Sequence, residues 1–143
     1  MSDLFTLRPA REEDLQAINA YAYWEGMDNM PGIENVTVAE SASGDVVGFL
    51  RIAMGGNGVA HINPVITVKT WRGYNVGREL VEDALDRYGE LRLVSRGGSV
   101  GFYRALGFAE IPWEAVDMSV CDDCDGCEMR EECGPVPMGK ALA

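Results

Sequence analysis

The chain has 143 residues, 47% hydrophobic and 24% charged, with a formal net charge of −11 at pH 7. That length suits a single domain over 1–143, and the acidic balance repels phosphate backbones, so nucleic acid is excluded as the expected partner and a cationic one is favoured. No apolar run is long enough to cross a bilayer, and the start, Met1 to Phe5, lacks the basic-then-apolar order of a signal peptide, so the chain reads as cytoplasmic with no membrane partner.

Phe5 to Arg8 alternates apolar and polar as a short strand does, and Pro9 stops it. From Arg11 to Trp24, Leu15, Ile18, Ala22 and Tyr23 recur at helical spacing behind the acids Glu12, Glu13 and Asp14. Gly26 to Gly32 is a loop. Val36 to Glu40 and Val46 to Ala53 are strands of a hairpin around Ser43-Gly44-Asp45. After the turn Gly55 to Gly58, a long strand is expected from Val59 to Lys69. Pro64 inside it predicts an edge position, a bulge or a local splay, since proline cannot donate to a ladder.

Gly73 to Tyr88 is the clearest helix, with Val76, Leu80, Val81, Ala84, Leu85 and Tyr88 on one face and Gly89 closing it. Leu91 to Val94 is a short strand and Ser99 to Leu106 a short helix ended by Gly107. Phe108 to Trp113 and Val136 to Leu142 are the last strands, with a cysteine-rich hairpin insertion at 117–135 between them. The order predicts an α/β fold with a mixed sheet and helices on its faces.

The chemistry concentrates where the long strand meets the strong helix, through Thr70-Trp71-Arg72-Gly73-Tyr74-Asn75-Val76-Gly77. A strand feeding a helix through a glycine-bearing turn aims several free N–H groups at one spot, with the helix dipole behind them. Such a turn suits a phosphate group, and asparagine tolerates positive φ better than most residues.

Arg72, Gly73 and Gly77 resemble the signature of the GNAT superfamily of N-acetyltransferases: Arg or Gln, two residues, Gly, one residue, Gly or Ala. Here Asn75 replaces the central glycine. Phe102-Tyr103-Arg104-Ala105-Leu106-Gly107-Phe108 is similar to a second family motif, a tyrosine followed by Leu-Gly-Phe. Leu7-Arg8-Pro9-Ala10 and Val47-Gly48-Phe49-Leu50 also look typical, and the resemblance covers about residues 5 to 112.

The resemblance implies a GNAT fold, a central mixed sheet with two splayed strands, and acetyl-CoA as cosubstrate. The N–H groups of the segment Arg72, Gly73, Tyr74, Asn75, Val76, Gly77 and Arg78 would hold the CoA pyrophosphate. The strand at Ile66, Thr67 and Val68 would pair with the pantetheine arm, with Ser99 near it where Arg96 stands in place of a family asparagine. Tyr103 would donate a proton to the leaving thiolate. Acetyl transfer to a primary amine of a small molecule or peptide, by direct attack, is the implied reaction. A CoA-binding sensor or interaction module without turnover is the alternative, and a homodimer is left open.

An amine near pKa 10 needs a base, and histone-type members carry a glutamate on the central strand where this chain has His61, its only histidine. Glu40 and water are the other candidates. A backbone N–H near Val68 is expected to hold the oxyanion.

The four cysteines run Cys121-x2-Cys124-x2-Cys127-x5-Cys133. Four thiolates so close can wrap a tetrahedral ion, so zinc is expected there, with an iron–sulfur cluster, unmetallated thiols or a local disulfide as the alternatives.

Overall fold

The computed structural model describes residues 4–120 and 134–142. The strands are β1 (Phe5–Pro9), β2 (Val36–Ser41), β3 (Val46–Met54), β4 (Ala60–Thr67), β5 (Glu90–Ser95), β6 (Ala109–Glu110) and β7 (Val136–Ala141). They form one mixed sheet in the order β1-β2-β3-β4-β5-β7-β6. The helices are α1 (Leu15–Trp24), α2 (Val76–Tyr88) and α3 (Val100–Ala105). Among the described residues, no helix is long and apolar enough to cross a membrane.

The described residues gather into two compact units, one within Met1–Ile52 and Pro64–Asp83, the other within Ala53–Asn63 and Ala84–Ala143. In the first, β1, β2 and β3 are successive antiparallel neighbours. Their inward positions and α1 build the core: Ile18, Ala22, Val38 and Phe49 are fully buried, with Tyr21, Met27, Met30 and Ile33 packed around them. Burial of a side chain the size of Ile18, Val38 or Phe49 stabilises the fold by roughly 1.5–3 kcal/mol.

The β2–β3 register shifts between Ala39 and Glu40, where β3 carries Val47 as an extra residue, while β1 and β2 stay in unbroken register. Thr6 faces Glu40 in the register, so the period of two brings Arg8 to the same face as a diagonal neighbour. Arg8 Nη2 lies 2.9 Å from Glu40, while Nη1 and Nη2 reach the two Asp14 oxygens at 2.8 and 3.0 Å. Asp14 also accepts from the Arg11 amide at 2.7 Å, and this capping explains why a single 3-10 turn, Glu12–Asp14, precedes α1.

The hydrogen bonds from Arg8 hold the nearly buried Asp14 carboxyl below the usual carboxylate range. A folded-state pKa below the unfolded one adds stability that is present above about pH 4 and is lost as pH falls through the folded value. Asp14→Ala is expected to cost about 2 kcal/mol at pH 7 by urea denaturation, because Arg8 loses its main partner. That difference should shrink as the pH is taken below 4.

In the second unit, β5 pairs antiparallel with β7 over Glu90↔Ala141 to Ser95↔Val136, and β4 pairs parallel with β5 at Ala60↔Leu91 and His61↔Arg92. That ladder lies ahead of Pro64, the residue that could not have donated to it. Leu91, Leu93 and Met138 are buried on β5 and β7. The final strand pair is shorter than the sequence predicts. β6 holds only Ala109–Glu110, because Pro112 lacks an N–H and Trp113–Ala115 turns away as a 3-10 helix.

Candidate active site

β4 also ends earlier than expected. The Val68 amide donates to the Val47 carbonyl at 2.9 Å, and the Val68 carbonyl accepts from Trp71 at 2.8 Å to open a 3-10 turn over Lys69–Trp71. Both backbone groups of Val68 are therefore engaged, so among the amides near Val68 its own is not open to an oxyanion. The Ile66 carbonyl faces Gly48 on β3.

Within the turn the Arg72 and Tyr74 amides are taken by the Lys69 and Trp71 carbonyls, at 3.2 and 3.4 Å, which removes these two from the amides expected to hold the pyrophosphate. Gly73 has φ +92 and Asn75 φ +66, both left-handed, so a right-handed helix cannot begin before Val76. The Asn75 carbonyl accepts from Glu79 at 3.0 Å, which makes Asn75 the residue that caps α2, one before its first residue Val76. The amides of Val76, Gly77 and Arg78 then have no intrahelical acceptor. A Cβ on Gly73 would meet nothing within 4 Å, so the turn has open space on that side. Trp71 anchors the turn from beneath, edge-on to Phe5 at 6.4 Å and tilted against Tyr74 at 5.3 Å. The Arg72–Glu25 pair at 3.3 Å is exposed and adds little.

Asn75 thus reproduces the backbone of the glycine it replaces. Asn75→Gly should keep or tighten acetyl-CoA binding by removing an exposed side chain from the turn. Asn75→Val should weaken it at least tenfold, since a β-branched residue resists positive φ. Calorimetric titration of both variants checks this pair.

Ser99 closes a 3-10 turn, Gly97–Ser99, that leads into α3, and Tyr103 lies in that helix. Its ring is 6% exposed and meets Phe102 and Phe108 edge-on, at 5.0 and 5.6 Å. Burial pushes the phenol above its usual value, so it holds its proton. Gly107 at φ +92 and the bond from the Phe108 amide to the Tyr103 carbonyl end α3 in a Schellman-type turn, with Lys140 Nζ on the Leu106 carbonyl at 2.7 Å.

The expected bases are both occupied. His61 is fully buried, with Nδ1 2.8 Å from the Val59 carbonyl and Nε2 3.1 Å from the Asp117 amide. A carbonyl only accepts and an amide only donates, so the ring is the neutral Nδ1–H tautomer with no lone pair left for a substrate. The expectation that His61 deprotonates an amine is corrected on that ground. Glu40 is held by Arg8 and lines a pocket of ≈ 590 Å³ in the first unit, together with Asp14, Tyr21, Val68 and Trp71.

An acetyltransferase (GNAT) domain matches residues 32–110, more than half of the chain. The chain belongs to the GNAT acetyltransferase family. An uncharacterized N-acetyltransferase of Chlorobaculum tepidum is 28% identical over 95% of this chain and 96% of its own length. Among solved structures, a Mycobacterium tuberculosis protein crystallised with CoA superposes with a TM-score of 0.78 at 18% identity, covering 96% of this chain and 99% of that one. The N-acetylglutamate synthase of Neisseria gonorrhoeae, complexed with CoA and N-acetyl-glutamate, gives 0.79 at 12% identity over 100% of this chain and 36% of that one. At such identities the likeness shows the shared GNAT fold.

The family reading of the sequence singled out Gly73 and Asn75 but not Asp117 or the demand on Gly48. Asp117 is distant in sequence from the His61 and Gly56 it binds, and no periodic pattern announces such a bond. The zinc assignment to Cys121, Cys124, Cys127 and Cys133 lies outside the described residues. Among the described residues, no three His, Cys, Asp or Glu side chains are placed to hold a metal ion together.

Proposed function

We propose that this GNAT protein is an acetyl-CoA-dependent N-acetyltransferase that acetylates a primary amine by direct attack. The observation that carries this reading is the turn from β4 into α2. Gly73 and Asn75 at positive φ leave the amides of Val76, Gly77 and Arg78 open, which fits a diphosphate. The CoA bound to the Mycobacterium and Neisseria relatives supports the same cosubstrate here. The strand end at Ile66, Thr67 and Val68 would meet the pantetheine arm, and Tyr103, protonated at working pH, would protonate the departing thiolate.

With His61 engaged and Glu40 held by Arg8, we read the amine's proton as leaving to water. The charge of −11 favours a cationic acceptor. The four-cysteine run would bind zinc as a stiffening element rather than as a catalyst, and metal analysis of purified protein tests that part alone. The whole reading is tested by free CoA thiol release from acetyl-CoA with a panel of primary amines. Turnover with at least one amine is expected. Tight acetyl-CoA binding with no release for any amine would instead favour a sensor.

A further inference from the structure

We propose that the pocket of ≈ 590 Å³ bounded by α1, the β2–β3 turn and the end of β4 is a binding site for a small organic cation. Its lining lies wholly in the first unit, and none of Gly73 to Arg78 belongs to it. The site goes beyond the transferase reading and stands with or without turnover. Its size is that of an ordinary small-molecule cleft.

The donors of this pocket are closed. Arg8 is its one guanidinium, and an arginine has five N–H groups to give. Nε donates to Glu40 at 3.2 Å. Nη1 donates to the Pro9 carbonyl at 3.1 Å and to Asp14 at 2.8 Å. Nη2 donates to Asp14 at 3.0 Å and to Glu40 at 2.9 Å. All five are occupied, so an anion entering the pocket finds no donor on Arg8. Tyr21 offers none either, because its hydroxyl donates to the Val46 carbonyl at 2.7 Å.

The acceptors are open. Four carboxylates, Glu13, Asp14, Glu40 and Asp45, face that single guanidinium. Asp14 is saturated by Arg8 and the Arg11 amide, and Glu13 pairs with Arg11 at the exposed rim. Glu40 takes both Arg8 bonds on Oε2, which leaves Oε1 without a partner among the described residues. Asp45 takes the Ser43 hydroxyl on Oδ2 at 3.1 Å, which leaves Oδ1 in the same state. Burial, and after it the charge of Asp45, raise the Tyr21 phenol above its usual value, so that charge is felt inside the pocket.

Open carboxylate oxygens beside closed donors select for positive charge. Ala17 and Val68 give the pocket an apolar wall, which concentrates the field of the carboxylates. Tyr21 and Trp71 add aromatic surface, to which a cation is further attracted. A guanidinium fits such a site best, because its paired N–H groups match a carboxylate. An amine seated there would stay an ammonium, since carboxylates favour its charged form, so the pocket holds a cation rather than activating a nucleophile.

The test is calorimetric titration of the full chain with 1,4-diguanidinobutane, a dication with no amine to acetylate. Wild type should bind one molecule per chain with a Kd of about 0.1–1 mM, the size expected of two charge-assisted contacts. Succinate, of similar length and opposite charge, should not bind. Glu40→Gln and Asp45→Asn should each weaken the dication about tenfold, and the double variant should abolish binding. Asp86→Asn and Glu110→Gln remove the same charge from exposed positions in the second unit and should leave the affinity within about twofold. Asp45 is exposed in a turn, so Asp45→Asn carries the readout if Glu40→Gln fails to fold. A wild type that binds no dication, or binds succinate as well, would overturn the site. So would equal weakening by the pocket and the distant variants, which would reduce the effect to diffuse attraction by the charge of −11.

Discussion

Tyr103→Phe is expected to lower kcat about a hundredfold or more while leaving acetyl-CoA affinity and thermal midpoint close to wild type. The ring is buried in α3 with Phe102 and Phe108 edge-on to it, and phenylalanine preserves that packing. What the substitution removes is one proton donor. A thiolate leaving group with a pKa near 8.5 is poor unless something protonates it as the C–S bond breaks. A phenol can do so only if it arrives protonated, and burial ensures that here by disfavouring the phenolate. General-acid groups contribute roughly 10²–10⁴ in rate, which sets the expected size. Single-turnover thiol release separates the chemical step from binding. A variant that keeps its full kcat would remove Tyr103 from the mechanism.

Much of this molecule follows from local pattern, and the departures have local causes. The alternation in Phe5–Pro9 and Val36–Ser41, the apolar run in Val46–Met54 and the apolar face of α2 correspond to the observed elements within a residue or two at most ends. The start of α2 does not, because Gly73 and Asn75 hold left-handed angles that a helical face cannot reveal. The end of β4 does not, because Val68 spends its amide on Val47 and its carbonyl on Trp71. The role of His61 was hidden for a different reason. A lone histidine on a central strand reads as a base until its partners are known, and one of them, Asp117, arrives late in the chain. Glu40 follows the same logic: its partner Arg8 lies 32 residues earlier, on β1, and only the pairing of β1 with β2 brings the two together.

Gly48 shows how such a hidden demand bears on function. A Cβ there would stand 2.8 Å from Val76 Cγ1 and 3.0 Å from the Ile66 carbonyl oxygen. Neither neighbour can give way cheaply. Val76 is 1% exposed, and the carbonyl belongs to β4. Gly48→Val is therefore expected to cost about 3 kcal/mol, at the upper end of overpacking, read as a lower urea midpoint with an unchanged slope. The strain has an outlet, because Val76 is the first residue of α2 and moves only with the amides that follow it. Acetyl-CoA affinity should thus fall at least tenfold, even under conditions where the variant is fully folded, since those amides would no longer converge on one anion. Gly73→Ala separates the two effects. Its Cβ would meet open space but at φ +92, so it should cost about 1 kcal/mol through the backbone alone and leave β3 undisturbed. Equal stability and equal acetyl-CoA affinity for Gly48→Val and wild type would show that the start of α2 is not set by its contact with β3.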